Sequence, residues 1–79
     1  MRTYLERINP EQRMARFYAV TVTPTLFGDW SVLREWGRIG QGGTLRESAY
    51  GSEAEAVNAA RIQTFGKIRR GYRDRSAVS

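Results

Sequence analysis

The sequence contains neither cysteine nor histidine. Without cysteine it can form no disulfide and no thiolate metal site, and without histidine it lacks both the commonest zinc ligand and the usual general base. Its acidic residues are scattered along the chain, and its serines have no base to activate them. We therefore expect a non-catalytic protein that needs no cofactor or metal and has no small-molecule substrate.

Long apolar segments are missing as well. The longest apolar run is FYAV, residues 17–20, far shorter than the roughly 20 residues of a membrane-spanning helix. The first ten residues, MRTYLERINP, are charged and lack the apolar centre of a signal peptide. A length of 79 residues fits one domain. The expectation is a single cytoplasmic domain that does not contact membranes.

Positive charge, by contrast, is in excess. Twelve arginines and one lysine face eight acidic residues, which gives a net charge of +5. Nucleic acid is the commonest anionic partner of basic domains, and the planar arginine side chain pairs with phosphate through two hydrogen bonds. The charge balance therefore favours nucleic acid as a partner but does not establish it.

The first two thirds of the chain have the pattern of β-strands. Four segments alternate or are rich in β-branched and aromatic residues, and turn-forming residues separate them. The short connections predict an antiparallel arrangement, because parallel strands need longer crossovers. The predicted strands are residues 4–8, 15–24, 30–40 and 44–50.

The last third changes to a helical pattern. Ser52 followed by Glu55 forms a capping box, and Gly71 is placed to end the helix. The fold class is therefore α+β, a small antiparallel sheet of about four strands with one C-terminal helix packed on one face. The residues predicted to share the buried face of the helix are Ala54, Val57, Ala60, Thr64, Phe65 and Ile68.

The third strand offers two faces to that helix. One carries Trp30, Val32, Arg34, Trp36 and Arg38, and the other carries Leu33, Glu35, Gly37 and Ile39. We expect the helix on the Leu33 face, with Gly37 allowing it close approach. Glu35 would then be buried, and a structural ion pair with Arg61 of the helix would compensate its charge. This choice predicts that Trp36 and Arg38 point away from the helix.

Three further features have alternative interpretations. The glycines in GQGG, residues 40–43, are typical of a hairpin turn, although such a loop can also cradle a phosphate. The basic segment KIRRGYRDR, residues 67–75, either compensates the helix dipole or contacts phosphates. A tryptophan in a strand is usually a core residue. Two tryptophans and two arginines on one face instead favour a surface for stacking and phosphate binding.

Together these motifs resemble the WGR domain family. The resemblance rests on the triplet Trp36-Gly37-Arg38, the following Gly40, the SEAEA start of the helix and its KIRRGY end. It covers residues 4–72 and implies an antiparallel sheet with one long helix. WGR domains occur in DNA-dependent poly(ADP-ribose) polymerases, in bacterial molybdate-metabolism regulators and as small bacterial proteins.

The resemblance also implies contact with DNA, preferred here over RNA. Trp36 would stack near the sugar at a strand end, Gly37 would keep the backbone close, and Arg38 would contribute to end recognition. Lys67 and Arg70 would contact phosphates, and Arg69 completes the predicted basic cluster. We expect a WGR-like domain at residues 1–72 and a flexible tail at 73–79. The alternative function is a protein-interaction or self-association module that uses the same aromatic and basic face.

Overall fold

A computed structural model describes residues 1–76 of the chain as one antiparallel sheet and one helix. The sheet has five strands in the order β4-β3-β2-β1-β5. The predicted α+β class is thus confirmed, with one strand more than expected. Along the chain the elements are β1 (Arg2–Asn9), a 3₁₀ helix (Pro10–Gln12), β2 (Met14–Pro24), β3 (Trp30–Arg38), β4 (Thr44–Tyr50), α1 (Glu53–Arg69) and β5 (Arg73–Asp74).

The connection between β2 and β3 shows how local chemistry fixes the hairpin. The backbone N–H of Thr25 donates to the carbonyl of Asp29 at 2.9 Å, and the two side chains also hydrogen-bond at 2.9 Å. Gly28 adopts a φ of +93°, a conformation that side chains other than glycine rarely tolerate. The predicted turn at this position is therefore confirmed, and it sets the register of β2 against β3.

Both ends of α1 are capped as the sequence predicts. The Ser52 hydroxyl accepts from the backbone N–H of Glu55 at 3.2 Å. At the other end, the N–H of Gly71 donates to the carbonyl of Ile68 and the N–H of Tyr72 donates to the carbonyl of Lys67. This pair of bonds is a Schellman motif, and Gly71 supplies the left-handed residue that it needs, with φ +101°. The motif turns the chain so that Tyr72 enters the core.

The core lies between α1 and one face of the sheet, hereafter the helix face. Leu5, Val20 and Val32 are fully buried there, beneath Ala56 and Ala60 of the helix. These two alanines are four residues apart and therefore lie on one side of α1, where their small side chains let the helix approach the strands. The opposite side of the sheet, hereafter the open face, carries Tyr4, Phe17 and Glu35, and no helix of residues 1–76 covers it.

The predicted choice of sheet face is wrong. Trp30, Val32 and Trp36 belong to the face that packs on the helix, because they are in register with the apolar positions of β2. Glu35 therefore lies on the open face, and the sheet separates it from Arg61, which is exposed on α1. The predicted Glu35–Arg61 ion pair is not formed. Within residues 1–76 the only ion pair shorter than 4 Å joins Glu6 to Arg75 at 3.9 Å.

Two further details differ from the sequence-based expectation. Phe65 and Ile68 were expected on the buried face of α1, yet 63% of Phe65 and 41% of Ile68 remain exposed. The buried face of α1 instead centres on the two small alanines, Ala56 and Ala60. The positions of the large apolar side chains therefore did not indicate which face is buried. The fifth strand, Arg73–Asp74, pairs with β1 inside the segment expected to be a flexible tail. The end of that predicted tail, residues 77–79, lies outside the described residues.

Candidate nucleic-acid interface

The Trp-Gly-Arg triplet occupies the last three positions of β3. Strand alternation places Trp36 and Arg38 on the helix face and Gly37 on the open face. The Trp36 ring is only partly buried and stacks against Tyr18 of β2, with ring centroids 6.4 Å apart and planes 24° apart. Trp36 therefore combines the two roles that the sequence left open, because one side of it packs on the core and the rest remains accessible.

The glycines around the triplet allow backbone segments to touch. A side chain at Gly43 would lie 2.7 Å from the carbonyl oxygen of Trp36 and 2.8 Å from the Phe17 ring, both closer than real contacts allow. A side chain at Gly37 would lie 3.1 Å from the Cα of Gly43. The close approach at Gly37 is therefore to the β3–β4 loop, and not to the helix as the sequence suggested.

Three arginines form a row across the helix face. The strand register places Arg16 of β2 directly opposite Arg38 of β3 and directly opposite Arg7 of β1. Like charges that face each other across strands destabilise a sheet. The carboxylates that occur in these strands, Glu6 and Glu35, lie on the open face and do not neutralise the row. We call these three residues the arginine row.

A cleft of about 500 Å³ opens beside Arg16 and Arg38 of this row. Its walls come from the Gln12–Arg16 segment, from the triplet and from the C-terminal end of α1. Four of the lining residues are cations and none is an acid, whereas Trp36 and Tyr72 provide aromatic surface. This basic cleft thus combines positive charge with flat apolar groups, the two properties that bind a nucleotide. The four cations are Arg13, Arg16, Arg38 and Lys67.

Lys67 lines the cleft on the side formed by α1. Its Nζ lies 5.1 Å from the centre of the Tyr18 ring and 5.5 Å from the centre of the Tyr72 ring. Burial lowers the pKa of Lys67, and the nearby charges of Arg70 and Arg16 lower it further. Lys67 therefore lies in a partly desolvated environment with other positive charges nearby, and an anion bound in the cleft would favour its charged form.

The structure brings most of the predicted site residues together. Trp36, Gly37, Arg38 and Lys67 line the basic cleft, and the charge of Arg70 acts on Lys67 beside it. Arg69 is exposed and does not line the cleft. The cations of the first hairpin also belong to the site, although they were not among the predicted site residues.

The missed cations are Arg7, Arg13 and Arg16. Arg7 and Arg16 join Arg38 only through the register of three strands, which single-strand patterns do not reveal. Arg13 follows the 3₁₀ helix and adopts a φ of 53°, which makes it the only residue other than glycine with a positive φ in residues 1–76. Turn-forming residues between the first two predicted strands located this loop, although nothing in them indicated which side chain would reach the cleft.

Other kinds of site are not supported by the described residues. Within residues 1–76 no group of three or more acidic side chains is arranged to hold a metal ion. None of the helical residues described forms a segment long and apolar enough to cross a bilayer.

Comparison with known proteins identifies the family of this chain. The family model for the WGR domain matches residues 1–79. An uncharacterized protein, y4dW, of Sinorhizobium fredii (strain NBRC 101917 / NGR234) is 43% identical over 77 residues. That match covers 98% of the present chain but 38% of the relative's length. No solved structure gives a significant match. WGR domains are generally nucleic-acid-binding modules without catalytic activity of their own, and the present chain belongs to the WGR domain family.

Proposed function

We propose that this domain binds the end of a DNA strand in the basic cleft. The terminal phosphate lies between Arg16 and Arg38, and the terminal sugar or base lies against the accessible part of Trp36. The observation that carries the proposal is the arginine row. Its like charges oppose each other, and within residues 1–76 no carboxylate lies within 4 Å of any of the three, which costs stability unless an anion binds there.

The shape of the cleft supports an end over an interior position. A volume of about 500 Å³ is in the range of sites that hold one small ligand, and it has room for a nucleotide but not for a continuous duplex. Lys67 near the end of α1 and Tyr72 just after it close one side, and Arg13, which follows the 3₁₀ helix, closes another. A strand that terminates in the cleft avoids these walls, whereas a strand that continues on both sides has to pass through them.

The same geometry argues against recognition of base sequence. An α-helix reads the major groove by inserting its exposed side chains, but α1 lies flat on the sheet, and Ala56 and Ala60 are fully buried against it. The cations reach phosphates, which carry no sequence information. We therefore expect end binding with little dependence on base composition.

Fluorescence anisotropy with three labelled DNA probes tests the proposal. The probes are a blunt 5′-phosphorylated duplex, the same duplex with both ends closed by hairpin loops, and a single strand. We expect the open duplex to bind more tightly than the closed one. Arg16→Gln and Arg38→Gln should each weaken binding to the open duplex by about tenfold or more, because each removes a charge-assisted hydrogen bond.

Arg61→Gln provides the matched control. It removes the same charge from an exposed position of α1 that does not line the cleft. Equal affinity for open and closed duplexes, with equal losses in all three variants, would contradict the proposal and leave a general electrostatic attraction. Absence of binding to every probe would instead favour a protein partner or a second copy of the chain at the same face.

A further inference from the structure

A second pair of opposed arginines lies beyond the basic cleft. The register places Arg34 of β3 directly opposite Arg46 of β4, on the helix face. The Arg34 guanidinium lies 5.9 Å from the centre of the Trp36 ring. Neither arginine is within 4 Å of a carboxylate in residues 1–76, since Glu35 and Glu47 project from the open face. Like the arginine row, this pair has no carboxylate within 4 Å among residues 1–76.

The spacing along β3 links the two groups of cations. Arg34, Trp36 and Arg38 are alternate residues, so their side chains share one face and follow each other at intervals of about 6.6–6.8 Å. Arg34 and Arg38 are therefore two intervals apart, about 13 Å, which is about twice the separation of successive phosphates in an extended single strand. A strand that leaves the cleft at Arg38 therefore meets an aromatic ring and then a second positive site.

The surroundings leave this path open. β4 is an edge strand, and only the short side chain of Thr44 stands opposite Trp36. On the helix side, Gln63 accepts a hydrogen bond from the Tyr18 hydroxyl at 3.5 Å, and Gly66 follows one turn later. A side chain at Gly66 would meet no neighbouring atom within 4 Å. The helix thus leaves open space beside Gly66.

We propose that the basic cleft continues along β3 into a track for the single-stranded extension of a DNA end, with phosphates at Arg38 and at the Arg34–Arg46 pair and a base on Trp36. The proposal rests on the proposed function and names the substrate class of the same site. A duplex is a poor occupant of the track because α1, 17 residues long, stands on the sheet beside it. The preferred substrate is a duplex that ends in a short overhang.

The test compares duplexes closed by a hairpin loop at one end. The other end is blunt, carries three extra nucleotides on the 5′ strand, or carries three on the 3′ strand, and every probe has a 5′-phosphate. We expect one overhang polarity to bind about five- to tenfold more tightly than the blunt end. Its plot of log affinity against log salt should be steeper by about 0.7 for each additional single-strand phosphate contact.

Two variants test whether residues of the track cause the tighter binding of the overhang. Arg46→Gln lies at an exposed position of the edge strand and should fold normally, which a thermal melt verifies. We expect it to abolish the overhang gain while it weakens blunt-end binding no more than Arg61→Gln does. Arg34→Gln should also abolish the gain.

The outcomes separate this inference from the proposed function. If neither overhang binds better than the blunt end, or if the gain survives both Arg34→Gln and Arg46→Gln, the track is wrong. In that case the proposed binding of a DNA end in the cleft still holds, provided that the open duplex binds more tightly than the closed one and Arg16→Gln removes this difference. If open and closed duplexes bind equally, the proposed end binding fails. A single strand whose affinity depends on Arg46 would then support the track alone.

Discussion

Substitution of Arg16 affects binding and stability in opposite directions. Arg16 is the middle member of the arginine row, so it faces Arg7 on one side and Arg38 on the other. It also lines the basic cleft and lowers the pKa of Lys67. Arg16→Gln keeps a side chain of similar reach but removes the charge from the centre of the site.

The binding effect follows from the four cations that line the cleft. A phosphate of a duplex that Arg16 neutralises contributes about 0.9 to the slope of log affinity against log salt, so Arg16→Gln should make that slope shallower by about 0.9. Between 50 and 200 mM salt, the natural protein should then lose about 3.5-fold more affinity than the variant.

The stability effect has the opposite sign. Like charges that face each other across strands cost about 0.2–1 kcal/mol for each pair, and Arg16 takes part in two such pairs. Without DNA and at low salt, Arg16→Gln should therefore raise the free energy of unfolding by about 0.5–1 kcal/mol and the Tm by a few degrees. The difference should shrink at high salt, because dissolved ions screen the repulsion.

Two measurements check this reasoning. Anisotropy titrations with the blunt duplex at several salt concentrations give the slope, and thermal melts at the same concentrations give the Tm. Arg61→Gln should change neither the slope nor the Tm to the same extent. An unchanged slope would show that Arg16 does not contact phosphate. A variant less stable than the natural protein at low salt would show that the row is not under electrostatic stress.

Three other predictions concern the glycines and the only lysine. Gly43→Ala should lower the Tm and weaken DNA binding, because the new methyl group would collide with the Trp36 carbonyl; Gly42→Ala, with no atom within 4 Å, should change little, as thermal melts of both will show. Gly66→Ala should stabilise the fold by up to about 1 kcal/mol through helix propensity alone, measured by denaturant unfolding. ¹³C NMR of Lys67 should show a pKa below the ordinary 10.5, and saturating DNA should raise it. Affinity for DNA should accordingly fall as pH rises through the pKa of the free protein, and Lys67→Arg should remove that dependence.

The elements of the fold follow from local sequence, and their assembly does not. Alternation located β1 to β4, and the residues Ser52 and Gly71 located both ends of α1, because turns and caps depend on neighbours in the chain. The face of β3 that packs on the helix depends on β2 instead. Tyr18 and Val32 belong to one apolar layer only because the strand register aligns their faces. The sequence of β3, taken by itself, has charged residues on both faces and therefore does not show which face is buried.

The residues of the candidate site also divide into those that local sequence reveals and those that only the pairing of strands brings in. The triplet and Lys67 were recognisable as a motif, whereas Arg16 joined them through pairing between strands. Arg73–Asp74 is too short to show any periodicity, so β5 could not be predicted from pattern. Its position follows from the Schellman motif at Gly71, which directs the chain back along β1.

The distribution of charge over the two faces connects stability to function. On β1 to β4, the helix face carries five arginines and no acid, whereas Glu6, Glu35 and Glu47 all lie on the open face. A sheet selected only for stability would place acids opposite the arginines, since opposite charges across strands stabilise and like charges do not. Each of these glutamates has an arginine beside it in the sequence, and in all three pairs the arginine is the member on the helix face. That the arginines are instead gathered around the partly buried ring of Trp36 is explained if the missing negative charge is supplied by a phosphate chain. The five arginines of the helix face are Arg7 of β1, Arg16 of β2, Arg34 and Arg38 of β3 and Arg46 of β4. Removal of any one of those that contact phosphate should therefore make the free domain more stable and the complex weaker.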